Sequence, residues 1–400
     1  MSALSYSRLR GAALCALLAA ALCPAGPQRN NFTSVAARHG YSAEEHTVPT
    51  EDGYLLTVFR VRRGRRCGAR ARRTPVYLMT GVLLSAEAWL AAGPRAGLAF
   101  LLPDACYDTW VGSVRGAALA SRHRSLDPSA DEAFWRFSAD KIARYDVPAA
   151  VDYILAATGA EKLNYVGFSQ GASVAFMMLS ERPQYASKLG VLLAAAPPVA
   201  LAHITSPFGR LLEISAQLEA ALSALGVYEV SWIASAVRAL AGRFCRFRLF
   251  RDGPCRAALE WFDAPHPGSV AAETIEALFE HFPDGTSVRT LARYGQAIGS
   301  GLFQKYDFGE RENLKRYGSA RPPAYELGAV RVPTVLLQGR GDTIVPAADS
   351  RWLAARLPDL RELYVVDDPA WNHFDVVFSR NINDTLYPKI NQYLSQYSTP

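Results

Sequence analysis

Past its first two dozen residues the chain has no apolar run long enough to cross a bilayer, because Asp104, Arg182, Lys188 and similar charges interrupt every candidate. A spanning helix needs about 20 apolar residues in succession, so no transmembrane segment is expected. Cysteine is scarce, six in 400 residues, and no two stand as Cys-x-x-Cys. His-Glu-x-x-His and a phosphate-binding glycine loop are missing as well, which removes the zinc-hydrolase and nucleotide-binding readings and leaves no metal or cofactor expected. Charged residues make up only a fifth of the chain and hydrophobic ones half, the balance of a protein with a large core rather than of a disordered one.

What is present begins with an address. Arg8 and Arg10 precede an uncharged apolar run over residues 11–23, and Pro24, Ala25 and Gly26 follow it. This is the build of a signal peptide over residues 1–25, cut near Ala25, and the run is too short for a membrane anchor. A secreted or lysosomal address is expected. Removing Arg8 and Arg10 lowers the formal charge from +6 to +4. Much of the remaining excess lies in residues 60–73, which hold eight arginines with glycines and no aromatic residue between them. Nucleic-acid binding calls for stacking side chains in such a run, so no nucleic-acid partner is expected. The stretch reads as a solvated loop, with an anionic lipid surface or a processing protease as the alternative contacts.

Secretion changes the reading of the remaining cysteines, Cys67, Cys106, Cys245 and Cys255, which allow three pairings. Cys245 with Cys255 closes a short loop containing Gly253-Pro254, the favoured pairing in an oxidising compartment. Asn31-Phe32-Thr33 and Asn383-Asp384-Thr385 are N-glycosylation acceptors.

Residues 48–61 read as a hairpin turned by Thr50-Glu51-Asp52-Gly53. Short apolar runs without strict alternation recur at 75–80, 163–168, 189–196, 334–338 and 363–366, as strands buried on both faces should. Helical stretches at 140–158, 172–180 and 347–357 lie between them, which predicts an α/β fold with a mostly parallel sheet covered on both faces. The rhythm breaks over 198–308, where amphipathic runs such as 211–225 and 270–282 replace strands. The expected organisation is a core in two parts, 26–197 and 309–400, with a helical cap over 198–308 between them.

In Gly167-Phe168-Ser169-Gln170-Gly171 a serine stands between a strand and a helix. The glycines are needed where neighbouring backbone presses against the tight turn, and the helix N-terminus favours developing negative charge. Such a serine needs a base, and the base a carboxylate, in the chain order Ser, acid, His. His203, His266 and His281 fall inside the suspected cap, whereas His373 follows the last strand-like run, and it is the candidate base. Asp342, in the glycine-rich turn after 334–338, is the candidate acid, since catalytic loops gather at carboxyl ends of strands. Asp367, Asp368 and Asp375 compete. The oxyanion donors are expected to be the backbone amides of Gln170 and of Val82, in the loop after the strand over 75–80.

With these pieces assembled, the chain from about Asn31 to its end resembles the acid lipase family, which includes gastric and lysosomal acid lipases and insect digestive lipases. The residues that carry the resemblance include Thr50-Glu51-Asp52-Gly53-Tyr54, Phe134-Trp135, Tyr145-Asp146-Val147-Pro148-Ala149, the stretch 165–171, Gly285-Thr286-Ser287 and Asn372-His373-Phe374-Asp375. The resemblance implies an α/β-hydrolase core with a cap and lid, and hydrolysis of triacylglycerols or sterol esters at an oil-water or membrane interface. It maps the nucleophile, acid and base onto Ser169, Asp342 and His373, the oxyanion positions onto Val82 and Gln170, and a cap disulfide onto Cys245 with Cys255. The family usually carries His-Gly before the oxyanion residue and His before the serine, where this chain has Thr80-Gly81 and Phe168. Its usual Gly-Asn-Ser-Arg-Gly reads Gly112-Ser113-Val114-Arg115-Gly116. None of these positions belongs to the triad, so the chemistry is expected to survive. Two rival readings are a lipid carrier on the same fold that has lost catalysis and an esterase for short soluble substrates.

Overall fold

A computed structural model describes residues 31–63 and 74–398. Residues 1–30, with the expected signal peptide, and residues 64–73 of the arginine-rich stretch, with Cys67, lie outside the described residues. Eight strands form one sheet: β1 (Tyr41–Pro49), β2 (Leu55–Arg63), β3 (Val76–Met79), β4 (Thr109–Gly112), β5 (Leu163–Phe168), β6 (Leu189–Ala195), β7 (Thr334–Gln338) and β8 (Leu360–Val365). Their order across the sheet is β1-β2-β4-β3-β5-β6-β7-β8. β1 pairs antiparallel with β2 and β2 with β4, and every other pairing is parallel. The central strands β3, β5 and β7 are buried along their whole length, which is why they lack alternation in the sequence.

The differences from expectation have local causes. The hairpin exists, but its first strand begins at Tyr41 rather than at 48, because β1 stays paired with β2 as far as Tyr41 opposite Arg63. β4 holds only Trp110 and Val111 as bulky apolar residues, bounded by Asp108-Thr109 and Gly112-Ser113, so no apolar run stands out there. The helix read over 140–158 is a regular helix only across Val147–Thr158, preceded by a wider turn at Ile142–Asp146. Pro148 has no N–H to donate to the carbonyl four residues before it, so the regular ladder is interrupted there. Arg60, which falls both in the hairpin over 48–61 and in the run read as a solvated loop, is half-buried in β2: it bonds Asp108 through Nε at 2.7 Å and Nη2 at 2.6 Å and covers the Trp110 ring.

No strand lies between Ala195 and Thr334. That span carries the helices Pro207–Ala224, Ser231–Phe244, Arg256–Phe262, Ala272–His281 and Val288–Ser300. Pro207–Ala224 crosses Val288–Ser300 so closely that a Cβ on Gly295 would stand 2.0 Å from the Leu212 carbonyl oxygen. Cys245 and Cys255 are joined in a disulfide within this region. Among the described residues no helix is long and apolar enough to cross a membrane. Asn31 and Asn383 are both exposed, and Asn31 also caps the helix Phe32–Arg38 by accepting from Ser34 N–H.

Candidate active site

Ser169 stands between β5 and the helix Gln170–Glu181 at φ 53° and ψ −121°, backbone that side-chain-bearing residues avoid unless their surroundings enforce it. The glycines on either side let the chain close that tightly. A Cβ on Gly167 would lie 2.6 Å from the Ala172 nitrogen, and one on Gly171 2.3 Å from the Met79 carbonyl oxygen. The Ser169 N–H donates to Ala195 O at 2.8 Å, which fixes the turn against β6.

Asp342 follows β7 and His373 follows β8, so both project from the same edge of the sheet as Ser169. Asp342 Oδ1 accepts the backbone N–H of Ile344 at 3.0 Å and of Val345 at 2.7 Å, leaving Oδ2 to face His373 Nδ1 at 2.9 Å. With Nδ1–H donating to that carboxylate, Nε2 is the acceptor for the Ser169 hydroxyl, 2.9 Å away. Burial depresses the proton affinity of the imidazole, but the charge and hydrogen bond of Asp342 and the charge of Asp263 outweigh it, so its pKa lies above the ordinary histidine value.

Val82 lies in the turn after β3, and a Cβ on its neighbour Gly81 would be 3.1 Å from Ser169 Cβ. Among the described residues neither the Val82 nor the Gln170 N–H donates to a protein acceptor. Both amides therefore remain available to a substrate oxygen. The Gln170 side chain is held away, its Oε1 accepting from the Tyr294 hydroxyl.

Around Ser169 and His373 opens a pocket walled by Leu83, Leu84, Phe168, Leu201, Phe208, Leu212, Phe262, Phe282, Ile344 and Phe374. Its polar groups converge on the serine, and its walls suit a hydrocarbon chain.

The competing residues are engaged elsewhere. His203 pairs with Asp349 at 2.8 Å, and His281 faces Glu87. His266 bonds Asp375 at 2.6 Å, with Asp368 at 3.4 Å on its other side, and Asp367 pairs with Arg340 at the surface. None of the three competing aspartates contacts the His373 ring among the described residues.

The alpha/beta hydrolase fold model matches residues 74–379, and the model of a partial alpha/beta-hydrolase lipase region matches residues 32–93. Lipase member K of Homo sapiens is 31% identical over 376 residues, covering 93% of this chain and 93% of that protein. Gastric triacylglycerol lipase of Bos taurus is 33% identical over 362 residues, covering 90% of each. The chain belongs to the acid lipase family of α/β-hydrolases. That membership makes it a carboxylic ester hydrolase. Among solved structures, a membrane phospholipase A covering 91% of this chain and 89% of its own shares the fold, with a TM-score of 0.50 at 14% identity.

Several family motifs meet in one buried network. The Arg115 guanidinium bonds Asp146 through Nε at 2.7 Å, reaches both oxygens of Asp52 at 2.7 and 2.8 Å, and lies 3.8 Å from the centre of the Tyr54 ring. The segments around Tyr54, Arg115 and Asp146 thus form one electrostatic unit, and the variant Gly112–Gly116 segment retains the residue on which it turns. The two departures beside the site also have visible consequences. Phe168 packs its ring 4.9 Å from the His373 imidazole, centre to centre, in a position where a family histidine would bring a titratable group. Thr80 is buried with no partner for its hydroxyl among the described residues. Nothing in the structure explains that threonine.

Sequence reasoning did not single out Asp263, at the end of the helix Arg256–Phe262. Its carboxylate accepts from Thr343 and from the backbone N–H of His373. No motif or spacing marks it in the chain.

Proposed function

We propose that this protein hydrolyses lipid esters, triacylglycerols or sterol esters, by acyl transfer through Ser169 to water. Ser169 Oγ attacks the ester carbonyl as His373 Nε2 takes its proton, and the amides of Val82 and Gln170 bind the oxyanion. The imidazolium, held by Asp342, then protonates the departing alcohol, leaving an acyl-Ser169. Water enters, gives a proton to His373 and attacks the acyl carbon, and the proton returns to Ser169 as the fatty acid leaves. What carries this reading is the 2.9 Å contact of Ser169 Oγ with His373 Nε2 at the base of a pocket with apolar walls. The names of its relatives, gastric triacylglycerol lipase among them, favour lipid over short soluble esters. The exposed apolar side chains of the cap favour work at an oil-water or membrane interface.

The test is fluorophosphonate labelling of the purified protein beside Ser169→Ala, followed by rates on triolein, cholesteryl oleate and short soluble esters from pH 4 to 8. Labelling at Ser169, with kcat lowered by about 10⁴-fold or more in the variant, is the expected result. Absence of labelling would support the non-catalytic carrier, and a preference for short esters unaffected by emulsions would sink the lipase reading. Residues 1–25 belong to the same proposal as the leader of a secreted or lysosomal protein, and N-terminal sequencing of exported protein should begin near Gly26.

A further inference from the structure

Asp263 belongs to the cap by position in the chain, yet its carboxylate reaches into the seam between the two core loops that carry the acid and the base. The residue is 5% exposed. Oδ1 accepts the Thr343 N–H at 2.9 Å and the Thr343 hydroxyl at 2.7 Å, and Oδ2 accepts the His373 backbone N–H. Thr343 directly follows Asp342. A single carboxylate thus holds the residue beside the acid and the backbone of the base, and all three of its partners are donors, the pattern of an ionised group.

We propose that Asp263 is a positioning residue: from the cap it keeps the Asp342 and His373 loops in register and sets a second negative charge beside the imidazole. The hydrolytic relay then depends on the seating of the cap. This rests on the reading of Ser169, Asp342 and His373 given above.

The electrostatics agree with the geometry. Burial and the nearby Asp342 push the Asp263 carboxyl above the usual carboxylate range, while His373 and the Thr343 donors hold it down. His373 is faced by Ser169 at Nε2 and Asp342 at Nδ1, with Asp263 at its backbone and the ring of Phe168 against its side. The neighbouring ionisable groups are spent on one another: His266 lies between Asp375 and Asp368, and His203 pairs with Asp349. When His373 becomes imidazolium during turnover, the charge of Asp263 adds to that of Asp342 in stabilising it.

Asp263→Asn retains the size of the side chain and one acceptor but removes the charge. Without it the imidazolium is less stabilised, so the pKa of His373 falls. Nitrogen-15 NMR of the imidazole should show it lowered by about one pH unit. On p-nitrophenyl butyrate the acid limb of kcat/KM should move to lower pH by the same amount. There kcat should fall about tenfold with KM within about twofold. A His373 titration identical in variant and parent would overturn the proposal. If Asp263→Asn does not fold, Thr343→Val removes the hydroxyl donor and keeps the backbone bond. The expected result is then a melting temperature lowered by a few degrees at most, with the protein still folded at the assay temperature and kcat lower by about threefold, and an unaltered kcat would overturn the proposal. The NMR titration needs no turnover, so a parent protein that neither labels nor hydrolyses would overturn the hydrolase mechanism, while the shift in His373 still reports on Asp263.

Discussion

Arg115 in the core and Leu249 in the cap each occupy the solvent that their chemistry disfavours: the guanidinium is 1% exposed and the leucine 80%. In the core the anomaly is compensated locally, because Asp52 and Asp146 supply charge and hydrogen bonds and Tyr54 covers the face of the guanidinium. In the cap nothing among the described residues compensates it. Of the exposed large hydrophobic side chains among the described residues, all but Leu302 and Leu314 lie between Leu211 and Trp261, on and around the helices Pro207–Ala224, Ser231–Phe244 and Arg256–Phe262. A buried, paired charge specifies one arrangement of the core. A concentration of exposed apolar side chains on a few helices instead provides affinity for an apolar phase outside the protein. On the proposed function the two regions divide the work, the core holding the relay in place and the helical span between β6 and β7 meeting the substrate phase.

That division is broken most severely at Arg115. Arg115→Leu leaves Asp146, itself fully buried, with the backbone N–H of residue 115 but no charged partner. The loss of one member of a buried pair costs about 3–5 kcal/mol. Urea unfolding should show that loss as a lower midpoint, with rates on soluble and emulsified esters falling together as folded protein is lost. A midpoint within the error of the parent would mean that the network is dispensable to the core.

The next effect is smaller and confined to the cap. Phe247→Ser with Leu249→Ser removes two exposed side chains, Phe247 being 60% exposed, so stability should change by no more than about 0.5 kcal/mol. Hydrolysis of emulsified triolein should nevertheless fall about tenfold, the equivalent of about 1.4 kcal/mol of lost interfacial transfer, while p-nitrophenyl butyrate is cleaved at the parental rate. Equal losses on both substrates would erase the distinction between the regions.

The same contrast governs what could be read in the sequence. The core strands were legible because a strand buried on both faces writes a continuous apolar run, as at β5 and β7. β4 was not, because its apolar pair Trp110-Val111 is bounded by polar residues and glycine, whereas the equally short β3 sits within a continuous apolar run. Ser169, Asp342 and His373 could be singled out because the hydrolase topology fixes their order and places each beyond a strand end. The cap offered no such rule. Its helices appeared as amphipathic runs at 211–225 and 270–282, but the rotation that brings Asp263 against Thr343 and His373 depends on packing between residues roughly a hundred positions apart. Arg115 shows an intermediate case: its segment was recognisable, while its partners Asp52 and Asp146 were visible only as separate motifs until the fold brought them together. Arg60 stood in two readings at once, the hairpin over 48–61 and the run of like charges over 60–73, and the first is the one that holds, since it lies in β2 with its guanidinium on Asp108.

The smallest expected effect is the response of stability to pH, and it tests the seam between the two regions. Burial raises the carboxyl of Asp146, burial together with Asp342 raises that of Asp263, and burial raises that of Asp375, which bonds the cap residues His266 and Ser269. Between about pH 4, where these groups titrate in the unfolded chain, and their raised folded values, the native state binds more protons. Stability therefore falls as pH rises through that window. His373 acts in the same direction at higher pH: its folded pKa is raised, so its contribution is complete below about 6.5 and is lost as pH rises through the folded value. Asp52 and His39 oppose this, as do the surface residues Asp127, Glu132 and Glu312, whose hydrogen bonds hold them below their ordinary values where solvent screens them. Burial pushes Asp52 up but the Arg115 bonds bring it below its ordinary value, so its contribution is lost only under more acidic conditions. His39 is lowered by burial and by Arg38, so it favours the folded state toward higher pH, but it is largely exposed to screening solvent. Scanning calorimetry should give a melting temperature about 2 °C higher at pH 5.5 than at pH 8. In Asp263→Asn and Asp375→Asn the slope should flatten, because each removes a seam carboxylate whose burial is relieved by protonation. A parental slope in both variants would assign the pH response to Asp146 and the core alone, and a melting temperature that rises toward pH 8 would show that the raised carboxyls do not govern stability.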